Sequence, residues 1–157
     1  MPRVGELAPD FSLRDQDKEP VRLSDLRGGP VMLVFFPAAF STTCTRELCE
    51  IRDDFSAYEQ RGVTVLGISV DSTNALRAWR QAQGYHNRFL SDRWPVGAVA
   101  KLYGVWNEEA GQADRGTFIL DAEGVVSYAV HNSSSQARDE GAYIAALEAM
   151  GAGERPA

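Results

Sequence analysis

The sequence carries only two cysteines and two histidines in 157 residues, and the cysteines, Cys44 and Cys49, stand five positions apart. That scarcity excludes a disulfide-stapled scaffold, because a bridge between them would close too short a loop to restrict the unfolded chain much. It also argues against a zinc site: two sulfurs without a second spaced pair, and His86 and His131 in different elements, do not make a ligand set. Basic residues are outnumbered, 16 Lys and Arg against 22 Asp and Glu. No clustered basic face occurs, so a nucleic-acid partner is not expected.

Long apolar runs are missing too. None reaches membrane-spanning length, and residues 1–30, which include Pro2, Glu6, Pro9, Asp10, Asp15, Asp17 and Glu19, lack the apolar core of a signal peptide. The expectation is a cytoplasmic protein without a membrane partner, in a compartment where thiols stay reduced unless they are being used. Glycine-rich dinucleotide and phosphate motifs are absent, and no bound cofactor or metal is expected. Without repeats, low-complexity blocks or linkers, residues 1–157 are expected to form one domain, ordered over about 5–150.

What is present reads as alternating strands and helices. Phe11 and Leu13, then Val21 and Leu23, flank a polar stretch from Arg14 to Pro20 and predict an N-terminal β-hairpin. Ser24 to Pro30 fits a single helical turn, and Val31 to Phe36 a strand covered on both faces. Cys44, Leu48, Ile51, Phe55 and Tyr58 recur at spacings of three and four, which predicts one amphipathic helix ending near Gly62. Val63 to Val70 reads as a second buried strand. A helix from Asp71-Ser72 carries Leu76, Trp79 and Ala82 before Gly84 stops it.

A short extended piece then ends at Asp92. Trp94 to Tyr103 reads as a helix with Val96, Val99, Leu102 and Tyr103 buried, and Asn107 to Asp114 as a polar loop. Thr117 to Leu120 and Val125 to Val130 form a hairpin turning at Gly124. A last helix spans roughly Arg138 to Met150, and the Gly- and Pro-containing end beyond it is expected to fray. A βαβ core followed by a hairpin and a C-terminal helix is the thioredoxin-like order of elements. The predicted class is therefore α/β, a central mixed sheet flanked by helices with an N-terminal hairpin.

Both cysteines fall in the stretch Pro37 to Glu50, between the first buried strand and the first long helix. A cysteine in the first turn of a helix meets unpaired backbone N–H groups and the positive end of the helix dipole, both of which favour thiolate over thiol. The placement points to sulfur chemistry. A small buried core residue on the face shared with Leu48 and Ile51 is the plainer alternative for Cys44.

Pro37-Ala-Ala-Phe-Ser41-Thr-Thr-Cys44 resembles the Pro-x-x-x-Thr/Ser-x-x-Cys signature of peroxiredoxins, and the strand ending Phe35-Phe36, Glu47 and Arg115-Gly-Thr-Phe-Ile-Leu-Asp121 agree with it. The likeness runs from about Gly5 to Met150. Ser91-Asp-Arg-Trp-Pro95, Leu102-Tyr-Gly-Val105 and Asn107-Glu-Glu-Ala-Gly111 resemble the alkyl hydroperoxide reductase E branch. Cys49 instead resembles the resolving cysteine of the bacterioferritin-comigratory or Q-type branch.

The resemblance implies a thiol peroxidase. Cys44 would be the nucleophile toward hydrogen peroxide or an organic hydroperoxide, Cys49 the resolving thiol, and thioredoxin or a similar dithiol the reductant of the resulting disulfide. Arg115 would lie over the thiolate, its alternative being a surface ion pair with Asp114 or Glu123. Ser41 would offer a hydroxyl to sulfur or peroxide, or simply cap the helix. Pro37 would shield the sulfur, or merely end the strand. Glu47 would hold Arg115 or close a capping box. A homodimer is implied as well.

Competing readings are a one-cysteine peroxidase resolved by an external thiol, and a sensing module of the same fold without turnover. A thiol-disulfide oxidoreductase is disfavoured, because the position three after Cys44 is Glu47 rather than a second cysteine.

Overall fold

A computed structural model of the chain describes residues 1–132 and 138–150. It begins with the hairpin β1 (Ser12–Asp15) and β2 (Pro20–Arg22), followed by a single 3-10 turn at Leu23–Leu26. Then come β3 (Val31–Phe35), α1 (Thr42–Asp53), α2 (Phe55–Gln60), β4 (Thr64–Ser69), α3 (Thr73–Gln83) and β5 (Arg88–Ser91). The second half holds α4 (Ala98–Leu102), the two-residue strands β6 (Trp106–Asn107) and β7 (Gln112–Ala113), β8 (Arg115–Leu120), β9 (Val126–Asn132) and α5 (Glu140–Ala149).

Seven strands make one mixed sheet in the order β2-β1-β5-β4-β3-β8-β9. β3 pairs parallel with β4 and antiparallel with β8, so it lies in the interior of the sheet, and every one of its residues is buried. The period of two along β3 divides the core. Val31, Leu33 and Phe35 join Leu66, Ile68, Phe118, Val99 of α4 and Tyr103, which follows that helix, on one face. Met32, Val34 and the following Phe36 join Leu48 and Ile51 of α1, Tyr58 of α2, Leu76 and Trp79 of α3, and Leu147 of α5 on the other. Among the described residues no helix is long and apolar enough to cross a membrane.

Four expectations need correction. The helix predicted to run unbroken to Gly62 is two helices, broken at Asp54, whose φ of -101 and ψ of 17 leave the helical basin. Aspartate is a weak helix former because its carboxylate competes for nearby backbone, and two follow each other at Asp53 and Asp54. The break lets Tyr58 turn fully inward while Phe55 packs on the His86 ring, centroids 5.3 Å apart.

The helix expected from Trp94 begins only at Ala98. Asp92 accepts from the N–H groups of Val99 (3.0 Å) and Ala100 (2.9 Å), which fixes the helix start. Gly97 before it takes φ 72, and a Cβ there would meet the Trp106 ring at 2.3 Å. Val96 and Leu102 are consequently exposed rather than buried. Ala82 of α3 is exposed as well. The polar loop from Asn107 contains the β6-β7 ribbon, and Asn107 Oδ1 accepts from Ala110 N–H inside its turn. Arg138 precedes the last helix instead of opening it. The end beyond Met150 lies outside the described residues.

The first turn of α5 carries a half-buried carboxyl. Glu140 is pushed up to about 8, first by burial, then by its hydrogen bond to and the charge of Asp54, with Glu50 and Asp53 adding to it. The folded value lies above the ordinary 4.5, so the protonated form favours folding. That stabilisation is complete below pH 4.5 and lost as pH rises through about 8. Thermal melts should decline over this interval, and Glu140→Gln should flatten the slope.

Candidate active site

The site is built where β3 hands the chain to α1. Phe36 and Pro37 are buried, and the loop after them turns at Phe40, held at φ 67. That left-handed conformation is costly for a bulky side chain. The loop is tied down by Asp71, whose Oδ2 accepts from the Ala39 N–H at 2.8 Å and the Ser69 hydroxyl at 2.6 Å. Ser41 then caps α1, its Oγ accepting from the Cys44 N–H at 3.2 Å. Cys44 thus occupies the third helical position, with its side chain wholly enclosed.

Arg115, the first residue of β8, reaches across from the neighbouring strand. Its Nη1 donates to Cys44 Sγ at 3.1 Å and to Glu47 Oε1 at 2.9 Å. Glu47 lies one turn beyond Cys44, the spacing that puts both on one side of the helix. Its other oxygen accepts from the Arg138 N–H at 2.6 Å, and Arg138 Nε stands 3.5 Å from Oε1. The Arg138 guanidinium also donates to Thr117 Oγ1 (2.8 Å), to the Gly116 carbonyl (3.2 Å) and to the Phe35 carbonyl. Thr117 in turn donates to the Tyr143 hydroxyl at 2.9 Å.

Charge counting gives this cluster its chemistry. Arg115 and Arg138 bring two positive charges and Glu47 one negative, all at 4% side-chain exposure or less. An uncompensated charge at such depth is costly. Among the described groups the balance closes to zero when Cys44 carries the anion.

Cys44, Arg115, Glu47 and Ser41 are therefore gathered in one place, and Pro37 is buried at the start of the loop that leads into it. Glu47 meets Arg115 directly, while Asp114, once a possible partner for Arg115, pairs with His131 at 2.9 Å. Cys49 stands apart on another face of the intact α1, half-buried, 3.7 Å from the Tyr85 hydroxyl and 3.8 Å from Gln83 Oε1. Both cysteines are free. Among the described residues no His, Cys, Asp or Glu cluster has the makings of a metal site.

Sequence reasoning missed Arg138 and Asp71. Asp139 caps α5 by accepting from the Ala142 N–H, and that capping signal places Arg138 outside the helix. Nothing local reports that its side chain is buried.

With this geometry in view, a family model described as the AhpC/TSA family matches residues 4–129. The chain is 42% identical over 151 residues to alkyl hydroperoxide reductase E of Mycobacterium tuberculosis, covering 96% of this chain and 99% of that protein. It is 35% identical over 132 residues to peroxiredoxin Bcp of Escherichia coli, covering 80% and 83%. The crystal structure of peroxidoxin BcpB from Mycobacterium tuberculosis superposes with a TM-score of 0.85 at 31% identity, over 96% of this chain and 99% of that one. Signature, fold and relatives agree, and the chain belongs to the AhpC/TSA family, the peroxiredoxins.

Proposed function

We propose that the protein is a thiol-dependent peroxidase that reduces hydrogen peroxide and organic hydroperoxides through a sulfenic acid at Cys44. Cys49 resolves that acid as an intramolecular disulfide, and thioredoxin or a similar dithiol recycles it. The observation that carries the reading is the buried hydrogen bond from Arg115 Nη1 to Cys44 Sγ, 3.1 Å long.

In the first step the Cys44 thiolate gives an electron pair to one peroxide oxygen. An S–O bond forms, the O–O bond breaks, and the other oxygen leaves as hydroxide or alkoxide and takes a proton. Arg115 keeps a buried Nε–H that has no acceptor among the described residues, a donor for the charge that spreads over sulfur and both oxygens. Ser41 accepts from backbone, so its own proton is free for a peroxide oxygen. Pro37, buried and without an N–H, keeps water from competing for the sulfur.

In the second step the Cys49 thiolate attacks the sulfenic sulfur and water departs. Two exchanges with a dithiol then restore both thiols. The enzyme works in a reducing cytoplasm as a homodimer, to which the exposed Phe40 and Trp94 are suited. The intact helix around Cys49 favours one second reading, in which an external thiol takes its place.

One equivalent of peroxide separates the two. The disulfide route removes two hydrogens from the protein mass, whereas the one-cysteine route adds one oxygen. Cys49→Ser should keep a fast first oxidation, accumulate sulfenic acid and over-oxidise at lower peroxide.

A further inference from the structure

Helix α1 has to come apart before its two cysteines can meet. In a regular helix residues five apart have Cα atoms about 8 to 9 Å from each other, and a disulfide needs less than about 7 Å. Whatever fastens this helix therefore governs how readily resolution occurs.

One face of α1, formed by Thr45, Cys49 and Arg52 at spacings of four and three, is fastened to a single stretch of chain from Trp79 to Tyr85. Trp79 Nε1 donates to Thr45 Oγ1 at 3.2 Å. The Tyr85 hydroxyl donates to the Thr45 carbonyl at 3.2 Å, and Arg52 Nη1 donates to the Gln83 carbonyl at 2.6 Å. Cys49 Sγ sits between them. Tyr85 is in no position to follow the helix if it moves. Its side chain is enclosed, its ring packed edge-on against Trp79 with centroids 4.9 Å apart and tilted against Phe89 of β5 with centroids 5.4 Å apart.

The Thr45 carbonyl is the acceptor that a regular helix assigns to the Cys49 N–H. Tyr85 thus grips the turn that opens when Cys49 leaves. Burial pushes its ionisation far up, so the hydroxyl remains a donor throughout the working pH range.

We infer that Tyr85 is a positioning residue for the resolving step: a latch that keeps α1 folded around Cys44 for the encounter with peroxide and sets the rate at which Cys49 is released. The inference rests on the disulfide reading of Cys49 given above. In the step it controls, Cys49 thiolate donates an electron pair to the Cys44 sulfur, the S–O bond breaks, and hydroxide leaves to be protonated as water. Tyr85 gains and loses nothing. A tighter latch lengthens the life of the sulfenic acid and leaves it open to a second peroxide.

Tyr85→Phe keeps the ring and removes the latch. Amide exchange over Thr42–Ile51 in the reduced protein is expected to rise about five-fold, the factor of one net hydrogen bond, with the sheet and α3 unchanged. Quenched-flow mass spectrometry should show Cys44–Cys49 disulfide forming faster by the same factor, and the peroxide needed for half over-oxidation should increase. A merely structural tyrosine would instead lower the melting temperature and leave this partition where it was.

Unchanged exchange and an unchanged disulfide rate would overturn the latch. A slower disulfide rate would overturn it too, assigning the hydroxyl to support of the Cys49 thiolate. If neither protein yields a Cys44–Cys49 crosslinked peptide, the disulfide reading itself fails and the resolving role with it, while the exchange data still decide whether Tyr85 fastens the helix. Should the variant not fold, Arg52→Met, which cuts the tie to Gln83 at the half-buried end of the same face, is expected to raise the same exchange. No rise in that variant would count against the fastening.

Discussion

Cys44→Ser is expected to end peroxide consumption altogether. The substitution changes one atom at an enclosed position, so the packing against Leu48 and Ile51 should survive. What disappears is the anion, because a hydroxyl with an alcohol's acidity supplies no nucleophile at neutral pH. The electrostatic consequence is also definite: Arg115 and Arg138 are left with Glu47 alone, a buried excess of one positive charge. Peroxide loss followed in the presence of a dithiol donor reads the result. Turnover retained by the serine form would remove the basis of the peroxidase assignment.

The second large effect is expected from Arg115→Ala. Losing a charged donor aimed at the reacting centre should slow oxidation by about 10²-fold or more. Two changes act together. Sγ loses its donor at 3.1 Å, and the remaining pair, Glu47 with Arg138, is already neutral without the thiolate. Arg115→Lys should recover little, because Nη1 serves both sulfur and carboxylate while Nε–H, held in the same rigid plane, remains a second donor, and an ammonium has no second nitrogen to fill both places. Stopped-flow oxidation measures both variants, and a rate within a few-fold of the parent would return Arg115 to a structural role.

Local pattern carried most of the fold. Strand β3 reads as buried because no polar residue interrupts it, and α3 reads cleanly because Ser72 and Gly84 bracket it, one accepting from Ala75 N–H and the other at φ 65. Reading failed where long-range contacts overrule periodicity. Leu102 has helical spacing with Val99 yet faces solvent, since Asp92 sets where α4 starts and hence how it is rolled. The site divides in the same way. Cys44 and Ser41 are legible from a cap and a spacing, and Arg115 from the motif around it. Arg138 is not, because an arginine before a helix cap ordinarily projects into water, and what makes its burial favourable, the Glu47 carboxylate 91 residues earlier with the Phe35, Gly116 and Thr117 acceptors, lies far away in sequence.

That separation has a consequence for the chain as it is made. Cys44 is synthesised in the first third of the sequence, before either arginine exists, so the early sulfur has only the helix end to favour its charge. β8 brings Arg115 next. Arg138, which joins Glu47 to the Phe35 carbonyl across 103 residues, comes just before the last helix. Domains are completed as units when their distant parts are available. A chain that stops short of Arg138 is therefore expected to lack the cluster that balances charge around the sulfur and to carry a less reactive Cys44 than one that extends past it, a difference that thiol-labelling rates would read.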